Sequence, residues 1–147
     1  MDVLTLSATD AAYLAGLIDG EGTITLSRKH KNENRQLAVT ISNTERQLLE
    51  FSQQVIGAGK ITTKRVSKQH HTASFTYAIY NRQALSLLEQ IEPYLRSYKH
   101  KRARLILENY LPLTPRNGKY TPEQMQARKE FENKVLEIKA HSHSSHN

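Results

Sequence analysis

The chain contains no cysteine. That absence excludes a disulfide framework, a thiolate metal site and a cysteine nucleophile, so a metal would have to rest on carboxylate, imidazole or carbonyl ligands. No stretch approaches the roughly 18 consecutive apolar residues of a membrane helix. The start, Met1-Asp2-Val3-Leu4, lacks the basic and apolar regions of a secretory signal. A soluble, intracellular protein with no membrane partner is the expectation. Acid is the other scarcity: 14 Asp plus Glu face 21 Lys plus Arg, a formal charge of +7 and a pI of about 9.7. Such a balance suits a phosphate-bearing or anionic partner. At 147 residues the length suits one domain with its own core, expected over residues 1–140. The tail 141–147, His-Ser-His-Ser-Ser-His-Asn, has no apolar residue and is expected to be disordered. Its three histidines could also bind a soft divalent ion.

What is present is a regular alternation of patterns. Ser7 and Thr9 are candidate caps for a helix through Ala12, Leu14, Leu17 and Ile18, stopped by Gly20 and Gly22. Thr23 to Ser27 alternates polar with apolar residues, and after the polar loop Lys29 to Asn34 the alternation resumes at Leu37, Val39 and Ile41, which predicts a hairpin. Thr44 is the candidate cap of a second helix, stopped by Gly57-Ala58-Gly59. The order then recurs: a strand over Lys60 to Lys68, a turn at Gln69-His70-His71, a strand from Ala73 to Tyr80, and a helix through Leu85, Leu88 and Ile91. Phe75, Tyr77 and Ile79 share the core side of their strand. A further helix is expected from about Tyr98 to Leu111, and Thr121-Pro122-Glu123 opens a last one. No repeat is close enough to indicate internal duplication. The fold class is α+β, an αββαββα order with a concave antiparallel sheet and extra C-terminal helices.

With the apolar side of both hairpins turned to helices, the other side is left to Thr25, Ser27, Lys29, Thr40, Ser42, Lys60, Thr62 and Lys64. A solvated sheet face is the ordinary reading of such a pattern. Segregation of charge favours another: Lys60 to His71 holds Lys60, Lys64, Arg65 and Lys68 without a carboxylate, and Arg96 to Arg104 adds Lys99, Lys101 and Arg102. A basic, hydroxyl-rich sheet fits the major groove of a duplex, where strands read base edges and cations neutralise phosphates.

The first helix places Ala15, Gly16 and Gly20 on nearly one face, although Gly costs about 0.8–1 kcal/mol relative to Ala inside a helix. Small residues at this spacing let two helices approach closely, and a second copy of the same helix is the simple partner. Asp19 and Glu21 stand at the end of that helix, so a pair of copies would gather four carboxylates. Clustered carboxylates need protons or cations between them, and hard oxygen ligands suit magnesium.

The block Leu14-Ala15-Gly16-Leu17-Ile18-Asp19-Gly20-Glu21-Gly22 resembles the signature of the LAGLIDADG homing endonucleases at seven of nine positions. The likeness extends through the element order and through Leu37 to Ile41, Ile56 to Lys60 and Pro93 to Ala103, most of the first 110 residues. A single motif is similar to the homodimeric branch, in which each subunit covers half of a long pseudo-palindromic DNA site. The resemblance implies Glu21 as metal ligand, with the Gly20 carbonyl as a backbone oxygen ligand, and Asp19 as mainly structural. It implies Lys99 as the basic residue near the cleaved phosphate. Asn43 and Arg46 then fall in the region that serves the water network. It implies Mg2+, with Mn2+ able to substitute, and double-stranded DNA as the partner. The expected DNA contacts are Thr25, Ser27, Lys29, Lys31, Arg35, Thr40, Lys60, Thr62 and Lys64, and the expected dimer contacts Ala15, Gly16, Asp19 and Gly20. Two positions depart from the signature: Glu21 replaces the commoner Asp, carrying the carboxylate one methylene or roughly 1.5 Å farther out, and Gly20 replaces Ala. The alternative is a relative that no longer cuts and acts as an intron maturase, with intron RNA as partner, or as a DNA-binding regulator. A basic ribosome-associated protein, with the glycines serving helix packing alone, is a third. An intron-borne enzyme would be expected in an organelle, chloroplast or mitochondrion, or in microbial cytoplasm.

Overall fold

A computed structural model describes residues 3–64 and 73–140, with Lys64 described in its backbone alone. The expected turn at His70 and His71, the end of the strand drawn to Lys68, and the 141–147 tail lie outside the described residues.

Helix α1 (Ala8–Glu21) begins where Ser7 Oγ accepts from the Asp10 N–H at 3.0 Å, filling one of the donors a helix start leaves open. Ala11, Leu14, Ala15 and Ile18 form its buried stripe, the spacing of a helix lying on a core. It ends against a tight passage. A Cβ added at Gly22 would lie 2.8 Å from the Thr40 carbonyl oxygen and 2.9 Å from Ile18 Cα, and both are backbone atoms. Only glycine lets the chain turn from α1 into the sheet there.

Strands β1 (Gly22–Ser27) and β2 (Gln36–Asn43) pair antiparallel, with Gly22 opposite Ile41 and Ser27 opposite Gln36. Strands β3 (Lys60–Lys64) and β4 (Ser74–Tyr80) form the second hairpin. The hairpins join through β2 and β4, giving the antiparallel order β1-β2-β4-β3. Ile24, Leu26, Leu37, Val39, Ile41, Tyr77 and Ile79 are buried on one side and share a continuous core with the helices. Phe75 is only partly buried at its margin.

Helix α2 (Arg46–Ile56) corrects the expected cap. Thr44 does not cap it; the cap position is Glu45, without a side-chain bond, and Asn43 Oδ1 accepts the Glu45 N–H at 2.8 Å instead. The helix closes at Gly57, φ 79°, a left-handed conformation suited to glycine. Helix α3 (Asn81–Ile91) starts directly after β4, and a short 3-10 turn, Glu92–Tyr94, leads to α4 (Lys99–Asn109). Helix α5 (Pro122–Glu137) carries a full capping box between Thr121 and Gln124. It packs on α4 and β1. Among the described residues no helix is long and apolar enough to cross a membrane.

Candidate functional site

The end of α1 is built together with the end of β2 and the segment that opens α4. Two carbonyls of its last turn meet Lys99, whose Nζ donates to the Ile18 and Asp19 backbone oxygens at 2.9 Å each, the Ile18 oxygen also accepting the Gly22 N–H. Lys99 is only 8% exposed. Burial pushes its pKa down and Arg102 adds to that, while Asp19 and Glu21 pull it up, and the net shift is downward. A cation against a helix C-terminus is favourably placed in the dipole field, but two of its three donors are committed. Lys99 fastens the helix end and lends its charge to the neighbourhood of Glu21.

Asp19 is turned inward. Its carboxylate accepts from the Arg96 N–H at 2.8 Å, the Ser97 N–H at 3.1 Å and Ser97 Oγ at 2.5 Å. Burial raises its pKa, but the hydrogen bonds from Ser97 and Arg96 and the Lys99 charge outweigh it, leaving the carboxyl below its ordinary value. Two copies of α1 would therefore present two exposed carboxylates, those of Glu21, and not the four expected. Asp19 is committed within its own chain and has no carboxylate oxygen left unbonded for a dimer face.

Glu21 is exposed. Asn43, at the end of β2, donates from Nδ2 to Glu21 Oε1 at 3.0 Å, and the Glu45 bond on its other amide atom fixes which way the amide faces. Asn43 thus touches the carboxylate directly. Arg46 does not join this group: it pairs with Glu50 at 3.0 Å and lies over the Phe75 ring at 5.1 Å. The Glu21 carboxylate and the Gly20 carbonyl at the last turn are hard oxygen donors of the kind magnesium takes. Among the described residues no group of three or more His, Asp or Glu gathers in one chain, so the remaining ligands of a cation here would come from a second copy, a phosphate or water.

The outer face of the sheet runs away from this point. Strand register places Thr23, Thr40, Ala78 and Lys60 in one row, Ser42, Thr76 and Thr62 in the next, and Thr25, Ala38 and Tyr80 on the other side. Ser42 and Thr76 share a hydrogen bond at 2.9 Å. No carboxylate stands on this face among the described residues. Thr25, Ser27, Thr40, Lys60 and Thr62 fall on it as expected from the alternation, and Lys64 occupies its register position. Thr23 joins this face through the β1–β2 register, and Thr76, Ala78 and Tyr80 through the β2–β4 pairing, which joins the hairpins across residues far apart in sequence; none of the four stood among the expected contacts.

Lys29 and Lys31 are exposed in the β1–β2 loop, which Glu33 closes by accepting the Lys29 and His30 N–H groups at 2.8 and 3.1 Å. Arg35 lies at the base of that loop, its backbone bonded to α5. The basic run from Arg96 to Arg104 divides. Arg102 is 8% exposed and donates to the Ile24 and Ile138 carbonyls, and Arg104 pairs with Glu92 and Glu108. Arg96 and Lys101 stay exposed. Ala15 is fully buried in the chain's own core and has no surface for a second copy. The small residues exposed on α1 include Ala12, Gly16 and Gly20, and a Cβ at Gly16 or Gly20 would meet nothing within 4 Å.

An open antiparallel sheet with helices on one face, and an acidic helix end at the start of its free face, define an αββαββα protein with one such site per chain. Residues 8–92 match the family described as the LAGLIDADG-like domain, and the chain belongs to that family, with one copy of its motif. It is 29% identical over 105 residues to the intron-encoded DNA endonuclease ai2b of Dictyostelium discoideum, an alignment covering 69% of this chain and 38% of that protein. Among solved structures it resembles the homing endonuclease I-CvuI in complex with its target in the presence of calcium, with a TM-score of 0.72 and 19% identity over 92% of this chain and 85% of the other. The archaeal intron-encoded homing endonuclease I-Vdi141I complexed with DNA gives 0.61 and 12%, covering 92% and 87%. The homing endonuclease I-GzeII in complex with a DNA target gives 0.66 and 15%, and there the match spans 96% of this chain but 48% of the other.

Proposed function

We propose that this chain is a site-specific DNA endonuclease, cutting both strands of a long pseudo-palindromic site by metal-dependent phosphodiester hydrolysis as a homodimer. The observation that carries the reading is the placement of Glu21: an exposed carboxylate, oriented by Asn43, at the point where the acid-free sheet face meets the end of α1. The relatives' names, an intron-encoded DNA endonuclease and homing endonucleases bound to DNA, support the substrate. Calcium and magnesium in the I-CvuI complexes support a divalent ion. The homodimer is supported by the exposed stripe of Ala12, Gly16 and Gly20, whose glycines weaken the helix without relieving any contact inside the chain. It is supported too by the length relation, one chain matching nearly all of some family members and half of others.

In this mechanism the β1–β2 and β3–β4 hairpins lie in the major groove, and residues 1–140 act as one domain. Threonine and serine hydroxyls meet base edges, while Lys29, Lys31 and Lys60 meet phosphates. Glu21 and the Gly20 carbonyl, with their counterparts in the second copy, would hold the ions. A bound magnesium-type ion lowers the pKa of coordinated water and stabilises the leaving oxygen. Asn43 keeps the Glu21 carboxylate in one orientation. Lys99 stabilises the α1 end and adds positive charge beside the phosphate whose P–O bond breaks as water attacks in line. The cellular setting of such an intron-borne enzyme would be an organelle or a microbial cell.

The test is incubation of the full chain with a plasmid library carrying a randomised site, with magnesium or with chelator, followed by sequencing of the ends. One near-palindromic site cut only with magnesium supports the proposal. Retardation of duplex or intron RNA with no cutting under any divalent ion overturns it and leaves a binding protein.

A further inference from the structure

At the end of the β1–β2 hairpin farthest from Glu21, the strand base is held by a polar ring, buried at Arg128, Glu132 and Tyr110 and open to solvent at Asn81, that the chemistry above does not use. Arg128 and Glu132 of α5 are 2% and 5% exposed and pair at 2.9 Å. Between them they take both polar groups of the Arg35 backbone: Glu132 Oε2 accepts its N–H at 3.1 Å, and Arg128 donates to its carbonyl. Arg128 also donates to the Leu113 carbonyl and Thr114 Oγ1, and its guanidinium lies 5.1 Å from the Tyr110 ring centre. Tyr110 Oη donates to Asn81 Oδ1 at 3.0 Å, and Asn81 Nδ2 donates to Gln36 Oε1 at 3.0 Å. Gln36 follows Arg35 in the chain, so the ring closes. Asn81 holds φ 55° within it, a left-handed conformation that Asn tolerates better than most residues.

Fold stability alone does not account for such a ring. A buried ion pair exchanged for apolar side chains of similar volume is commonly neutral or stabilising. What the ring fixes is position. It grips the residue that opens β2, where Gln36 pairs with Ser27, and the loop bearing Lys29 and Lys31 springs from the same place. Five residue steps along β1 carry the chain from Gly22 to Ser27, about 17 Å of strand, so these groups reach the outer part of a half-site whose inner end lies at Glu21.

We propose that Arg128, Glu132, Tyr110 and Asn81 are positioning residues for DNA specificity: they hold the far end of the β1–β2 hairpin in one place and so set the base preference at the outer positions of each half-site. The inference rests on the sheet being a DNA face. Loosening the ring leaves the α1 end unchanged and blurs the reading only where the hairpin tip reaches.

The experiment repeats the randomised-library cleavage with full-length Tyr110→Phe, which cuts one link of the ring, and Glu132→Leu, which cuts the grip on Arg35, each first checked for a parent-like melting curve. The expected result for Glu132→Leu is a fall in base preference of about fivefold at the outermost positions, the lower end of what one direct base contact discriminates. Central positions and kcat at saturating duplex stay at the parent values. Tyr110→Phe, the variant with least risk to folding, shows the same pattern at smaller amplitude. A loss spread evenly over the site, or profiles identical to the parent's for Tyr110→Phe, overturns the inference. A parent protein that recovers no preferred sequence overturns the DNA reading beneath it.

Discussion

Asn43 joins Glu21 to helix α2: its Nδ2 donates to Glu21 Oε1 at 3.0 Å while its Oδ1 accepts the Glu45 N–H at 2.8 Å. Because the second bond fixes the amide, the first orients the carboxylate. Partners of this kind, one step removed from a metal, typically change metal affinity or activity 10–100-fold when lost. Asn43→Ala is expected to raise the magnesium concentration for half-maximal cleavage by about that factor, read from a magnesium titration. An unchanged titration would show that Glu21 needs no support from β2.

Lys99 gives a test that separates a helix cap from a phosphate contact. Lys99→Met keeps the length of the side chain but removes both bonds to the α1 carbonyls. Thermal or urea unfolding should show a loss of about 1.5–3 kcal/mol, the usual net contribution of hydrogen bonds that involve a charged group. Unaltered stability with loss of cleavage alone would place the ammonium on the DNA instead.

The glycines of α1 predict opposite results. Gly22→Ala drives a Cβ onto the Thr40 and Ile18 backbones and should destabilise the fold by several kcal/mol or prevent folding. Gly16→Ala meets nothing, so it should stabilise the isolated chain by about 0.8–1 kcal/mol through helix propensity while weakening self-association in sedimentation equilibrium. Association unchanged by Gly16→Ala and by the bulkier Gly16→Leu would remove α1 from the dimer contact.

The β1–β2 loop should open in acid. Glu33 accepts the Lys29 and His30 N–H groups, and these bonds hold its carboxyl below the ordinary glutamate value. A carboxylate with a depressed pKa contributes its stabilisation above the unfolded value and loses it as pH falls through the folded one. The Lys29 and His30 amide shifts in an NMR titration should therefore move together below the normal glutamate range and stay still in Glu33→Gln. Movement within the normal range would mean that the two bonds do not shift the carboxyl.

The order of helices and hairpins was legible because period and stop signals are local: Gly22 and Gly57 end α1 and α2 where the sequence puts them. The orientation of the α1 end was readable only in part. Asp19 and Glu21, two residues apart on a helix, point about 200° away from each other, so one turns in to Ser97 when the other turns out. Phasing the helix on Leu14 and Ile18 separates Ala15, which is buried, from Ala12, Gly16 and Gly20, which are not. The roles of Lys99 and Arg102 could not be read locally. Each is buried against carbonyls about 80 residues away in sequence, and no local pattern marks a basic residue that serves as a cap. The same holds for Asn43, which reaches Glu21 only once β1 and β2 have paired.

Replacement of Glu21 by Gln tests the central claim most directly, because it keeps the side chain's shape and an oxygen acceptor for Asn43 while removing the charge that would hold a cation. Purified parent and Glu21→Gln proteins are compared on the duplex recovered from the library, for binding by gel retardation and for cutting with magnesium. Both proteins are expected to retard the duplex, and only the parent to cut it. Cutting by the Gln variant at the parent rate would contradict it.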